Sequence, residues 1–135
     1  MKYKILSIFL CAFGISCFGR TDVEITNSFS NYFDEAYSEH PEIPPGLLEA
    51  VSFNNTRFNH ITHAEGEEES CIGMPKAYGV MGLILDGKNY FNNNLETVSR
   101  YSGYSINEII SSPEKNILAY ANTFSVLLNR TTSKN

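Results

Sequence analysis

The chain has 135 residues, with 15 acidic against 10 basic side chains and a formal charge of −5. That length suits a single domain, and the acidic balance gives no steering toward polyanions, which sets nucleic-acid binding aside. Of its three cysteines, Cys11 and Cys17 fall in an amino-terminal leader and only Cys71 remains beyond it, so the domain is not a disulfide scaffold.

The leader is read from Lys2 and Lys4 followed by an apolar run from Ile5 to Phe18. A basic start and an apolar stretch too short for comfortable bilayer passage form a secretory signal pattern. Cleavage is expected after Gly19, giving an exported chain that is periplasmic or secreted. An uncleaved anchor is the alternative. Lipid attachment at Cys17 is disfavoured because Gly14-Ile15-Ser16 fits such a motif poorly. Removing Lys2 and Lys4 leaves eight basic against fifteen acidic residues, a charge of −7.

Residues 20–40 form an amino-terminal helix region. After a polar lead-in, Phe29, Tyr32, Phe33, Ala36 and Tyr37 recur at three- and four-residue spacing, which predicts a helix with one aromatic core face. His40-Pro41 ends it, since a residue before proline avoids the helical region. Pro44-Pro45 opens a second helix, with Leu47, Leu48, Ala50, Val51 and Phe58 on its expected buried side and an end between Asn54 and Phe58.

The stretch from His60 to Pro75 is irregular and carries Glu65, Glu67, Glu68 and Glu69, which reads as a solvated loop. Carboxylates also suit calcium, but this spacing matches no calcium loop, and no metal or cofactor is expected. Cys71 as a nucleophile would need a base such as His60 or His63; a buried thiol is the plainer reading. Ala77 to Leu85, with Gly79 and Gly82 inside it, is a short strand or a helix start. Asn89 to Arg100 reads as a helix with Leu95 and Val98 inward. Ser105-Ile106-Asn107-Glu108 is a capping box opening a short helix through Ile110. Ser112-Pro113-Glu114 caps a last helix whose apolar positions are Ile117, Leu118, Ala121, Phe124, Leu127 and Leu128. The fold class is mainly α.

Three segments in this order resemble the soluble lytic transglycosylase branch of the lysozyme-like superfamily. Ile43 to Asn59 resembles the family helix that ends in a Glu-Ser pair followed by x-Phe-Asn. Lys76-Ala77-Tyr78-Gly79-Val80-Met81-Gly82-Leu83 resembles the Gly-Ala-x-Gly-Leu-Met-Gln segment beside the sugar cleft. Ser112 to Ala121 resembles the Asn-Pro-x-x-Asn-Ile helix. The likeness runs from about Pro41 to about Leu128, within a domain expected over residues 41–135. Its wording is most like the lysozyme-like region preceding some exported N-acetylmuramoyl-L-alanine amidases. It implies a helical lysozyme-like domain shortened at its C-terminal end, peptidoglycan glycan strands as partner, and a separate amidase as a further partner.

The family glutamate is a general acid, then base, in the cleavage that yields a 1,6-anhydromuramic product. Aligning Ala50 and Arg57-Phe58-Asn59 places Asn55 there and Thr56 at the serine position. A carboxamide has no proton to give at neutral pH, and general acid–base help is worth about 10²–10⁴-fold in rate. The resemblance therefore implies a glycan-binding domain with weak or no cleavage, its groove lined by Asn55, Thr56, Tyr78, Gly79, Met81 and Tyr120. Two other readings stay open: an active wall hydrolase using a substitute carboxylate such as Glu49 or the Glu65 to Glu69 group, and a decayed remnant with no independent role.

Overall fold

The architecture follows from how one helix is buried. In the computed structural model, which describes residues 27–64, 66–67, 73–88 and 90–133, the chain forms α1 (Ser30–Glu39), α2 (Leu47–Thr56), β1 (Lys76–Tyr78), β2 (Leu83–Leu85), α3 (Asn94–Ser102), α4 (Ile106–Ser111) and α5 (Pro113–Thr132). The leader, Cys71, Glu65, Glu68, Glu69 and Asn89 lie outside the described residues. No helix among the described residues is long and apolar enough to cross a membrane.

α5 is the axis. Asn116, Ile117, Leu118 and Ala119 are all buried in succession. Four successive residues at 100° each go round the whole helix, so it is enclosed on every side at that level. α1, α3 and α4 pack against it. Its second half is amphipathic: Thr123 and Ser125 are buried while Leu127 is exposed. Phe33 and Ala36 of α1, Leu48 of α2, Leu83 of β2, Leu95 and Val98 of α3 and Ile109 of α4 complete the core.

The local signals explain the boundaries. α1 ends at Glu39, before His40-Pro41. α2 ends at Thr56, where Arg57 takes left-handed φ and its N–H bonds the Phe53 carbonyl. Within α2 only Leu48 among the expected apolar positions is fully buried; Leu47, Val51 and Phe58 pack against the core's edge and Ala50 faces solvent. The Ala77 to Leu85 segment is an antiparallel hairpin, with Lys76 opposite Leu85 and Tyr78 opposite Leu83. Gly79 (φ 71) and Gly82 (φ 65) make the reversal that rules out a helix there.

α3 starts at Asn94, later than its apolar pattern suggests. The Asn93 and Asn94 side chains accept the Asp86 and Ile84 backbone N–H groups, which keeps the preceding loop out of the helix. Asp86, itself buried, accepts the Lys88 and Phe91 N–H groups, and those bonds hold its carboxyl below the usual range. α4 carries the full capping box on Ser105 and Glu108. Ser112 caps α5 through the Lys115 N–H, with proline in the first turn.

Glu108 ties the two caps together. It accepts from Lys115 Nζ at 2.6 Å and from the Ser105 backbone, and these bonds bring its carboxyl down to about 2. A depressed carboxyl stabilises the fold above its unfolded titration range, and that contribution is lost as pH falls toward its folded value. Lowering the pH from about 5 to about 2 should therefore lower the melting temperature more in the wild type than in Glu108→Gln, as read by circular dichroism.

Candidate functional site

The last turn of α2 meets the glycine turn of the hairpin above the first half of α5. Residues 79–82 join the strands, with Gly79 and Gly82 at its ends and Val80 and Met81 fully buried between them. Burying this turn leaves its backbone groups in need of partners, and four polar side chains bond them.

From α2, Thr56 Oγ1 donates to the Val80 carbonyl at 2.7 Å and Ser52 Oγ reaches the same oxygen at 3.1 Å. Asn55 Nδ2 donates to the Met81 carbonyl at 3.0 Å. From α5, Asn116 Oδ1 accepts the Met81 N–H at 2.8 Å, while its Nδ2 donates to the Ile109 carbonyl of α4 at 3.1 Å. Asn116 is fully buried and so bonds the turn and α4 at once.

The glycines are dictated by this closeness. A Cβ on Gly79 would stand 2.0 Å from Asn116 Nδ2, and one on Gly82 would stand 2.8 Å from the Asn55 Cβ. Both positions also have positive φ.

The end of α2 is reinforced from the other side. Arg57 and Phe58 both have left-handed φ, 56° and 59°. That conformation costs a non-glycine residue of order 1–3 kcal/mol. The Arg57 guanidinium lies 4.5 Å from the Phe53 ring centroid, the Phe58 ring packs edge-on to Phe33, and Asn59 Nδ2 bonds the Thr56 carbonyl at 2.7 Å. These contacts hold the strained pair and fix where Asn55 stands.

Of the six expected groove residues, Asn55, Thr56, Gly79 and Met81 come together at this junction. Asn55 is exposed; Thr56, Gly79 and Met81 are buried. The Met81 side chain is fully enclosed and both of its backbone polar groups are engaged within the chain. The Thr56 hydroxyl is likewise engaged. Tyr78 lies elsewhere, in the wall of a cavity of about 400 Å³ with Glu67, Lys76, Leu85, Asp86 and Glu96. Tyr120 lines a separate cavity of about 230 Å³ with Thr97, Val98, Thr123 and Phe124. Burial raises the Tyr120 phenol.

The substitute carboxylates are placed as follows. Glu49 is in the first turn of α2, six residues and about 9 Å of helix rise from Asn55. It accepts the Tyr37 hydroxyl proton, while that hydroxyl accepts the Leu48 N–H at 3.0 Å. Burial and Glu49 push the Tyr37 phenol up to about 12. Glu67 is engaged by His63 and by the Ala64 N–H.

Ser52, Gly82 and Asn116 are the junction residues that the sequence reading did not single out as site residues. Asn116 was visible as the asparagine of the Asn-Pro-x-x-Asn-Ile likeness; Ser52 carried no signal beyond standing four residues before Thr56. Among the described residues there is no group of three or more histidine, cysteine or acidic side chains able to hold a metal ion.

No protein-family model, curated protein or solved structure matches this chain.

Truncating Asn116 would leave the Met81 N–H and the Ile109 carbonyl buried without partners. Each orphaned group costs about 1–3 kcal/mol. Asn116→Ala should therefore lower unfolding stability by about 2–5 kcal/mol in urea titrations followed by circular dichroism.

Proposed function

We propose that this is an exported, lysozyme-like domain that holds peptidoglycan glycan strands and cleaves them weakly or not at all. The observation that carries the reading is the Asn55 carboxamide, exposed at the end of α2 and donating to the Met81 carbonyl. In the transglycosylases that the sequence resembles, the corresponding position needs a carboxylic acid.

The Asn55 geometry bears on cleavage in two ways. First, an amide can donate to the Met81 carbonyl, whereas an ionised carboxylate there would face a second oxygen. Second, that same confrontation favours the protonated form of any carboxyl put there, which is the form a general acid requires. The residue itself supplies a structural donor where the resemblance calls for an acid. The three segments that carry the resemblance form a helix ending at the site, a glycine-turn hairpin and a helix whose buried asparagine bonds the turn.

On this reading sugar would be met by the exposed polar face of the last turn of α2 beside Asn55. Tyr78 and Tyr120 would serve as flanking contacts in their separate cavities. The location is periplasmic or secreted, no cofactor takes part, and an amidase carried on another chain is a natural companion. The tie between Glu49 and Tyr37 speaks against Glu49 as a substitute acid, because that carboxylate is already engaged at the far end of α2.

Two measurements test the proposal. The full chain should sediment with purified sacculi above the level of an unrelated acidic protein; equal recovery would end the glycan-binding reading. Asn55→Glu should release 1,6-anhydromuropeptides at a rate about 10²-fold or more above the parent, detected by mass spectrometry, while Asn55→Gln should release none above the parent.

A further inference from the structure

The seam between α3 and the second half of α5 is apolar along its length and ends in two arginines. A cavity of about 230 Å³ lies between Thr97 and Val98 of α3 and Thr123, Phe124 and Leu127 of α5. A second, of about 240 Å³, continues it past Leu128 and Thr131, and Phe124 and Leu127 belong to both. Leu127 is 42% exposed, a large apolar side chain left to water at the middle of this groove.

One helical turn further on, Tyr101 and Arg130 close the seam. They stand three residues beyond Val98 and Leu127, a spacing that keeps them on the same sides of α3 and α5. Arg130 Nη1 donates to the Tyr101 hydroxyl at 2.8 Å. The Arg130 and Arg100 guanidinium carbons lie 4.8 and 5.3 Å from the centroid of that one ring. Among the described residues neither arginine is paired with a carboxylate. Glu96, one turn before Arg100, belongs to the wall of the cavity beside β1. Two like charges gathered at one ring repel each other, and acidic side chains outnumber basic ones by fifteen to ten in this chain. A ligand carrying negative charge supplies the missing counter-ion.

The lining narrows the choice of occupant. The groove's hydroxyls are spent within their own helices: Thr97 Oγ1 donates to the Asn93 carbonyl and Thr123 Oγ1 to the Ala119 carbonyl. An extended peptide laid there would take its amides out of water without gaining partners. A helix, about 10 Å across with its side chains, is too broad for cavities of this size. An alkyl chain needs no hydrogen bonds and gains by leaving water.

We propose that the α3–α5 seam binds a single-chain amphiphile of the fatty-acid class, its alkyl chain along Val98, Phe124 and Leu127 and its carboxylate on the Arg100 and Arg130 guanidiniums. Planar N–H forks suit a carboxylate. The site is distinct from the Asn55 junction and does not rest on glycan binding; the two readings share only Tyr120, in the wall of the first cavity.

The test is isothermal titration calorimetry of the full chain with decanoate below its micelle-forming concentration, where one saturable site is expected. Butyrate, with the same head and little chain, should bind at least about 10²-fold more weakly. Decyltrimethylammonium, with the same chain and the opposite charge, should bind at least about 10-fold more weakly than decanoate. The double variant Arg100→Gln/Arg130→Gln should weaken decanoate about 10-fold or more and leave decyltrimethylammonium no weaker. Leu127→Asn, at an exposed position, should weaken both long-chain ligands while circular dichroism shows an intact fold. Absence of a saturable site, equal affinity for decanoate and decyltrimethylammonium, or unchanged decanoate affinity in the double variant would each overturn the proposal. So would recovery on phosphatidylglycerol vesicles without binding of monomeric decanoate, which would mark a membrane-facing surface instead.

Discussion

The buried turn between β1 and β2 exists because the Asn116 side chain reaches it. A tight turn pressed into an apolar interior brings peptide groups that water can no longer serve. Asn116 meets that demand with one donor and one acceptor, and it bonds two different elements with them. Gly79 follows from that bond, since no Cβ fits between it and Asn116, while a Cβ on Gly82 would meet Asn55 of α2. The enclosure of α5 follows too, because the helix must run directly beneath the turn for the amide to reach it. Val80 and Met81 can then be fully buried with the Val80 carbonyl and both Met81 peptide groups paired.

Asn55 is part of the same requirement. The Met81 carbonyl takes its hydrogen from Asn55, and the Val80 carbonyl takes one from Thr56. An amide at position 55 therefore contributes to holding α2 on the hairpin, a role that an ionised acid would fill poorly. This gives the asparagine a structural reason that does not depend on whether sugar is bound. It also means that any gain of acid–base chemistry at position 55 is made at the expense of a helix-to-turn bond.

The helical class and most boundaries were legible because their signals are local. The proline after His40, the Ser105 and Glu108 capping box and the Ser112-Pro113 start act within a few residues of themselves, and each appears where the sequence puts it. The hairpin was ambiguous because Ala77 to Leu85 is apolar throughout, and only the paired positive φ of Gly79 and Gly82 decides it. The late start of α3 depends on Asn93 and Asn94 bonding backbone groups seven and ten residues away, which no local pattern reveals. The grouping of Asn55 with Asn116 and the separation of Tyr78 from Tyr120 are likewise products of long-range packing.

α5 is held unequally along its length. Its first two turns are locked among other elements, whereas Phe124 and Leu127 stand beside open cavities and the final residues are exposed. Helical order in such an element is lost progressively from its loose end. Amide protons near Arg130 would then exchange with solvent through brief local fraying, while those near Ile117 would wait for the whole domain to open. The terminal turns can accordingly tolerate sequence drift that the socket around Asn116 cannot.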